Sequence, residues 1–150
     1  MKYDIIGDIH GCHQSLRGLL ENLGYQNTSA GYCHPSRQVI FLGDFIDRGP
    51  GQREVLDIVR PMVASGAALA VMGNHEFNAI AYHEKDPATG EHLRPHTNKN
   101  SRQHQAFLDC YADDVNAHAD VIAWFKTLPL WLDLGDIRVI HACWDIAWIQ

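Results

Sequence analysis

An α/β fold with a mostly parallel sheet is the class this sequence predicts, and two observations carry it. Short apolar segments that read as strands alternate with segments whose apolar residues recur at helical spacing. Three glycine-bearing polar runs, Gly7-Asp8-Ile9-His10-Gly11, Gly43-Asp44-Phe45-Ile46-Asp47-Arg48-Gly49 and Gly73-Asn74-His75-Glu76, each follow such a strand. Glycine lets the chain turn sharply where a strand ends, and the carboxyl edge of an open parallel sheet is where these folds gather reactive side chains.

The elements follow in order. Ile5-Ile6 belongs to a first strand, and Leu16, Leu19, Leu20 and Leu23 form an apolar helix stripe ended by Gly24. Val39-Ile40-Phe41-Leu42 is a continuous apolar run, as expected of a parallel strand buried on both faces. Pro50 suits the first turn of the next helix, whose buried stripe is Val55, Ile58, Val59 and Met62. Pro61 should kink that helix or trim its last turn, and Gly66 ends it before a third strand over residues 68–72. The order βαβαβ implies a largely parallel sheet with right-handed crossovers. Residues 84–100 are polar, His-rich and punctuated by Pro87, Gly90 and Pro95, which predicts a mobile loop. Helical spacing returns over 101–126 and stops at Leu128-Pro129. Residues 130–134 and 137–141 then read as a hairpin around Gly135-Asp136, with glycine first as a type II′ turn requires.

Composition narrows the function classes. A chain of 150 residues makes one domain, burying about two-thirds of its unfolded surface. It is 46% hydrophobic and 20% charged, with no apolar run near the roughly 20 residues that cross a bilayer. No membrane role is implied. Residues 1–4 lead directly into the first strand without a secretory h-region, so a cytoplasmic setting is expected. The formal charge of −6 argues against a nucleic-acid partner. Cys12, Cys33, Cys110 and Cys143 lack a C-x-x-C pair and are expected to be packed, reduced thiols rather than disulfides or zinc corners.

The three runs carry the chemistry. Asp8 and His10 are two residues apart, so in an extended segment both side chains project to one side and can hold a metal. Asp44 can bridge to a second ion, with Asn74 offering an amide oxygen and His141 an imidazole nitrogen. Mixed O and N donors suit Mn, with Fe or Zn as alternatives. Two divalent ions about 3.5–4 Å apart polarise a phosphoryl group and hold a bridging hydroxide for in-line attack. Arg48 can clamp phosphate through paired hydrogen bonds. Asp47 can pair with His75 and keep it protonated as general acid, or merely balance Arg48 at the surface.

These runs resemble the signature of the calcineurin-like metallophosphoesterases. The Asp47-Arg48-Gly49 ending is similar to the phosphoprotein-phosphatase branch, which includes serine/threonine phosphatases and bacterial symmetrical diadenosine tetraphosphatases. The resemblance covers the span from Asp8 to His141. It implies Asp8, His10 and Asp44 at one metal, Asp44, Asn74 and His141 at the other, and Arg48, Asn74 and His75 against phosphate. It also implies an α/β/β/α sandwich, a further metal-binding histidine from a downstream Gly-His motif, and second-sheet strands beyond Gln150. Residues 1–150 are therefore expected to be an incomplete, C-terminally truncated calcineurin-like domain with a helical insert at about 77–127. After the ligand histidine many members carry glycine, where this chain has Ala142.

The expected activity is metal-dependent hydrolysis of nucleotide-type or other small phosphoesters, such as dinucleoside polyphosphates, whose pocket residues 77–127 would build. A phosphoprotein substrate is the alternative, and a catalytically inactive metal- and phosphate-binding module a second. His83, His92, His96, His104 and His118 fit no metal cage and are expected at the surface or in loops, with substrate contact the alternative. Trp124, Trp131, Trp144 and Trp148 read as core and rim aromatics, with Trp144 near enough to His141 to flank substrate.

Overall fold

A computed structural model describes residues 2–149 of the chain. Strands β1 (Lys2–Ile6), β4 (Arg37–Phe41) and β5 (Ala68–Ala70) form a parallel sheet in the order β1-β4-β5. Helix α1 (His13–Asn22) and the short antiparallel pair β2 (Gln26–Thr28) and β3 (Gly31–Cys33) connect β1 to β4. Helix α2 (Gln52–Ala64) connects β4 to β5, giving the predicted βαβαβ order.

The pleat sorts the sheet's side chains into two layers. Val39 and Phe41 pack with Leu16 and Leu20 of α1 and with Val55, Leu56, Val59 and Met62 of α2. Ile40 and Val71 face the other way and pack on Val139. Val139 belongs to the hairpin of β6 (Trp131–Asp133) and β7 (Arg138–Ile140), which turns at Gly135 with φ 86°. A strand with both faces covered must be apolar throughout, which is why 39–42 shows no alternation. Each fully buried Val or Met side chain stabilises by about 1.5–3 kcal/mol.

Helices α3 (Asn74–His83), α4 (Asn98–Cys110) and α5 (Val115–Phe125) extend the helical layer, with Phe107, Val121, Ile122 and Phe125 in the same core. A four-residue helix, α6 (Ile146–Ile149), follows β7. Helix layer, parallel sheet and hairpin are thus three successive layers of the expected sandwich.

Several local expectations change. Pro50 lies outside α2: the helix begins at Gln52 behind Gly51, whose backbone sits against the His13 ring where no Cβ fits. Pro61 does not trim the helix, which runs on to Ala64 although the proline has no N–H to bond the preceding turn. The 101–126 pattern is two helices, since the Asp114 carboxylate accepts the Ala117 N–H at 3.0 Å and starts α5 anew. Residues 84–97 form a loop that is stitched to α3. Leu93 N–H donates to Glu84 O, Arg94 N–H to Ala81 O, and His96 Nε2 meets Tyr82 O. Cys12, Cys33 and Cys143 are exposed rather than packed, because they sit at a helix start, an edge strand and a loop; all four thiols are free.

Candidate active site

The three polar runs meet beyond the carboxyl ends of β1, β4 and β5. The first run is a turn: Ile9 and His10 N–H both donate to Asp44 O, and His10 takes φ 45°. Asp8 and His10 therefore converge by chain reversal, not by the pleat of an extended segment. His10, Asp44, Asp47 and Arg48 all occupy the left-handed region, with φ between 45° and 68°. For residues with a Cβ that conformation costs on the order of 1–3 kcal/mol each, and such strain clusters at functional sites. Gly43 and Gly73 make the close approach possible. A Cβ on Gly43 would overlap the Gly73 backbone nitrogen, and one on Gly73 would overlap the Asp44 carboxylate.

Asp44 is the hub. Its Oδ2 lies 3.7 Å from His10 Nε2, 3.6 Å from His141 Nε2 and 4.0 Å from His75 Nε2. Asp8 Oδ2 is 3.7 Å from His10 Nε2, and Asn74 Oδ1 is 3.0 Å from His141 Nε2. Asp8, His10, Asp44, Asn74, His75 and His141 are thus brought together. Asp8, Asp44 and His141 have ligand atoms within 4.8 Å of one another, as do His10, Asp44 and His75.

Backbone carbonyls orient the imidazoles. His10 Nδ1 donates to Ile46 O at 2.9 Å and His141 Nδ1 to Leu42 O at 2.7 Å, so each presents Nε2 to Asp44. A ligating histidine is fixed by a partner on its other nitrogen in this way. His10 Nε2 is buried with no hydrogen-bond partner. A polar atom in that state costs free energy, and a cation beside Asp8 and Asp44 would satisfy it. The donor set of carboxylate oxygen, amide oxygen and imidazole nitrogen fits a borderline divalent metal.

Asp47 and His75 form a second unit. His75 Nδ1 donates to Asp47 Oδ2 at 2.6 Å, and His104 Nδ1 donates to Asp47 Oδ1 at 2.8 Å. Burial alone would raise the Asp47 carboxyl, yet the His104 and His75 hydrogen bonds outweigh it and hold the carboxyl below its ordinary range. The Asp47 hydrogen bond, opposed by desolvation, raises His75. Asp47 is buried and pairs with histidines, so the surface-balancing alternative with Arg48 falls away.

His104 corrects a sequence expectation. It is buried, not at the surface, stacked on Phe107 with ring centroids 4.9 Å apart. The signal was present: His104, Phe107, Leu108 and Tyr111 continue one helical stripe. Glu76 also has a role the sequence reading left undefined. Fully buried, it accepts the N–H groups of Asp44 at 2.8 Å, Phe45 at 2.8 Å and Gly73 at 3.0 Å, clamping two of the runs together. Burial pushes its carboxyl up, and the backbone donors oppose that.

Beside this cluster opens a cavity of about 670 Å³, lined by Asp47, Arg48, Asn74 and His75 on one side and by α3, the 84–97 loop and α4 on the other. Arg48 is exposed at its wall. Trp144 is not on it; that ring lies under Arg138, 5.4 Å from the guanidinium carbon. Among the described residues no helix is long and apolar enough to cross a membrane.

Comparison with known proteins matches residues 1–143 to the calcineurin-like phosphoesterase family. The chain is 34% identical over 143 residues to bis(5′-nucleosyl)-tetraphosphatase PrpE [asymmetrical] of Oceanobacillus iheyensis, covering 95% of this chain and 55% of that protein. It is 32% identical over 145 residues to the Bacillus velezensis protein of the same name, covering 95% and 56%. Among solved structures, a mutant cold-active protein tyrosine phosphatase superposes with a TM-score of 0.66 at 20% identity, covering 99% of this chain and 45% of that one. The last is a likeness of fold. This chain spans about half the length of these curated relatives.

Proposed function

This chain belongs to the calcineurin-like phosphoesterase family, and we propose that it carries the metal- and phosphate-binding centre of a hydrolase acting on dinucleoside polyphosphates or related small phosphoesters. The observation that supports this most is the gathering of three imidazole Nε2 atoms within 3.6–4.0 Å of one Asp44 oxygen. Asp8, His10 and Asp44 would hold one divalent ion, and Asp44, Asn74 and His141 a second. Manganese is the ion we favour, with iron or zinc as alternatives on the same donor set. When bound, such ions supply Lewis-acid activation of the phosphoryl group and of water.

The remaining work falls to the chain's own side chains. Arg48, Asn74 and His75 contact phosphoryl oxygens and hold the group in place. Asp47, kept ionised by its two histidine partners, fixes the His75 ring and its Nδ1 proton. The raised affinity of His75 for its second proton keeps Nε2–H available nearer neutral pH, where it protonates the leaving oxygen. Residues 77–127 form the insert that walls the cavity, within a single phosphoesterase domain over 1–150. The four unpaired cysteines support a cytoplasmic setting. The resemblance reached tetraphosphatases through symmetrical members; the relatives' names favour asymmetrical cleavage of a dinucleoside tetraphosphate.

The test is phosphate and nucleotide release with Mn across dinucleoside polyphosphates, phosphopeptides and nucleoside monophosphates, using the longest natural form of the protein. Preferential release of a mononucleotide and a nucleoside triphosphate from the tetraphosphate supports the reading. Preference for phosphopeptides replaces it with a protein phosphatase.

A further inference from the structure

The cavity carries positive charge that, among the described residues, no ion pair neutralises. Arg37, Arg53, Arg60 and Arg138 each pair with an aspartate. Arg48, Arg94 and Arg102 line the cavity and, among the described residues, pair with no carboxylate. Among the described residues the only carboxylate lining the cavity is Asp47, already bonded by His75 and His104. In a chain of formal charge −6, three unpaired guanidinium groups around one cavity are a local reversal of sign.

Arg94 is also preorganised. Its Nη1 donates to Asn78 Oδ1 and its Nη2 to Gln103 Oε1 at 3.1 Å, and its backbone N–H donates to Ala81 O at 2.7 Å. Neutral amides hold the guanidinium in place while leaving its charge for a ligand. Planar guanidinium groups match phosphate oxygens in paired hydrogen bonds.

We propose that Arg94 and Arg102, with Arg48 lining the same cavity, form a second anion subsite that takes the phosphates of the leaving group in a polyphosphate chain. This rests on the phosphohydrolase reading, because His75 lines the same cavity and thereby sets the leaving group's direction. The subsite makes the protein select substrates with several linked phosphates over simple monoesters. Binding there places the leaving group's charge away from the carboxylates of Asp8 and Asp44.

The experiment has two arms. Calorimetry on the metal-free protein, with inorganic tripolyphosphate as probe, should show binding that Arg94→Gln or Arg102→Gln each weaken roughly 10- to 100-fold, the size of a lost charge-assisted hydrogen bond. Arg102 makes no side-chain hydrogen bond among the described residues, so its variant isolates charge from folding. In the turnover arm, both variants should raise KM for a dinucleoside tetraphosphate by a similar factor while leaving p-nitrophenyl phosphate hydrolysis within about threefold. Tripolyphosphate binding unchanged in both variants overturns the subsite, even where metal-dependent hydrolysis stands. Absence of hydrolysis on every substrate overturns the activity reading while the binding arm still decides the subsite. An acidic phosphopeptide that binds more tightly than tripolyphosphate, and is lost in the same variants, assigns the arginines to a protein substrate and overturns the proposal.

Discussion

Replacing Glu76 should uncouple the second and third polar runs. Its Oε2 accepts the Asp44 and Gly73 N–H groups and its Oε1 the Phe45 N–H, all in a fully buried pocket. Leaving one buried donor unpaired costs about 1–3 kcal/mol, so Glu76→Ala, which strands three, should cost roughly 3–9 kcal/mol before any cavity penalty. A domain's whole stability is about 5–15 kcal/mol, so that variant should be at the margin of folding. Glu76→Gln keeps one acceptor and strands about one donor, and it sheds the desolvation cost of a buried charge; its loss should stay at about 1–2 kcal/mol. Urea denaturation reads both. With a slope of roughly 1–3 kcal/mol/M, the alanine variant's midpoint should fall by at least about 1 M and the glutamine variant's by less. An alanine midpoint indistinguishable from wild type would show that Glu76 is not the clamp, and the left-handed Asp44 backbone would then need another support.

Three further outcomes follow from the same geometry. His75→Ala should lower kcat by roughly 10²–10⁴-fold for alkyl phosphates and much less for p-nitrophenyl phosphate, whose leaving group needs no proton; equal losses on both would remove His75 as proton donor. His104→Ala should strand Asp47 Oδ1 in a buried site and cost about 1–3 kcal/mol in urea denaturation, and an unchanged midpoint would mean that this hydrogen bond carries no net stability. The Arg37 hydrogen bond holds the Asp4 carboxyl below its ordinary range. A carboxyl depressed in the folded state stabilises above its unfolded pKa of about 3.9 and loses that contribution as pH falls through the folded value. The urea-midpoint difference between wild type and Arg37→Gln should therefore be constant above about pH 5 and shrink below pH 4; a difference growing toward acid pH would reverse the sign.

What the sequence made legible was whatever is local. Asp8, His10, Asp44, Asn74 and His75 sit within a few residues of a strand end, so strand patterning and glycine spacing place them together. His141 was legible because the 137–141 run ends on it. The β4 and β5 faces were readable from apolar runs. The burial of His104 could be read from its helical stripe, but its bond to Asp47 could not, since that partner lies 57 residues away and a histidine on an apolar stripe looks the same with or without an acceptor. The β2-β3 pair is polar at most positions and is held by side-chain bonds such as Thr28 Oγ1 to Gly31 O at 2.8 Å, so no hydrophobic period announced it. The arginine wall was hidden for the same reason: Arg48, Arg94 and Arg102 converge through the tertiary fold, not through spacing.

The proposed divalent-metal centre has Asp44 as its shared anchor, built with Asp8, His10, Asn74 and His141. Calorimetric titration of the metal-free chain with Mn, beside the Asp44→Asn variant, tests it most directly, with circular dichroism confirming that both are folded. Wild type should bind at least one Mn per chain, and Asp44→Asn should reduce the affinity by well over the roughly 10- to 100-fold that loss of an outer partner causes, because it removes the charge between three imidazoles. Superimposable isotherms from two folded proteins, or no Mn uptake by wild type, would contradict it.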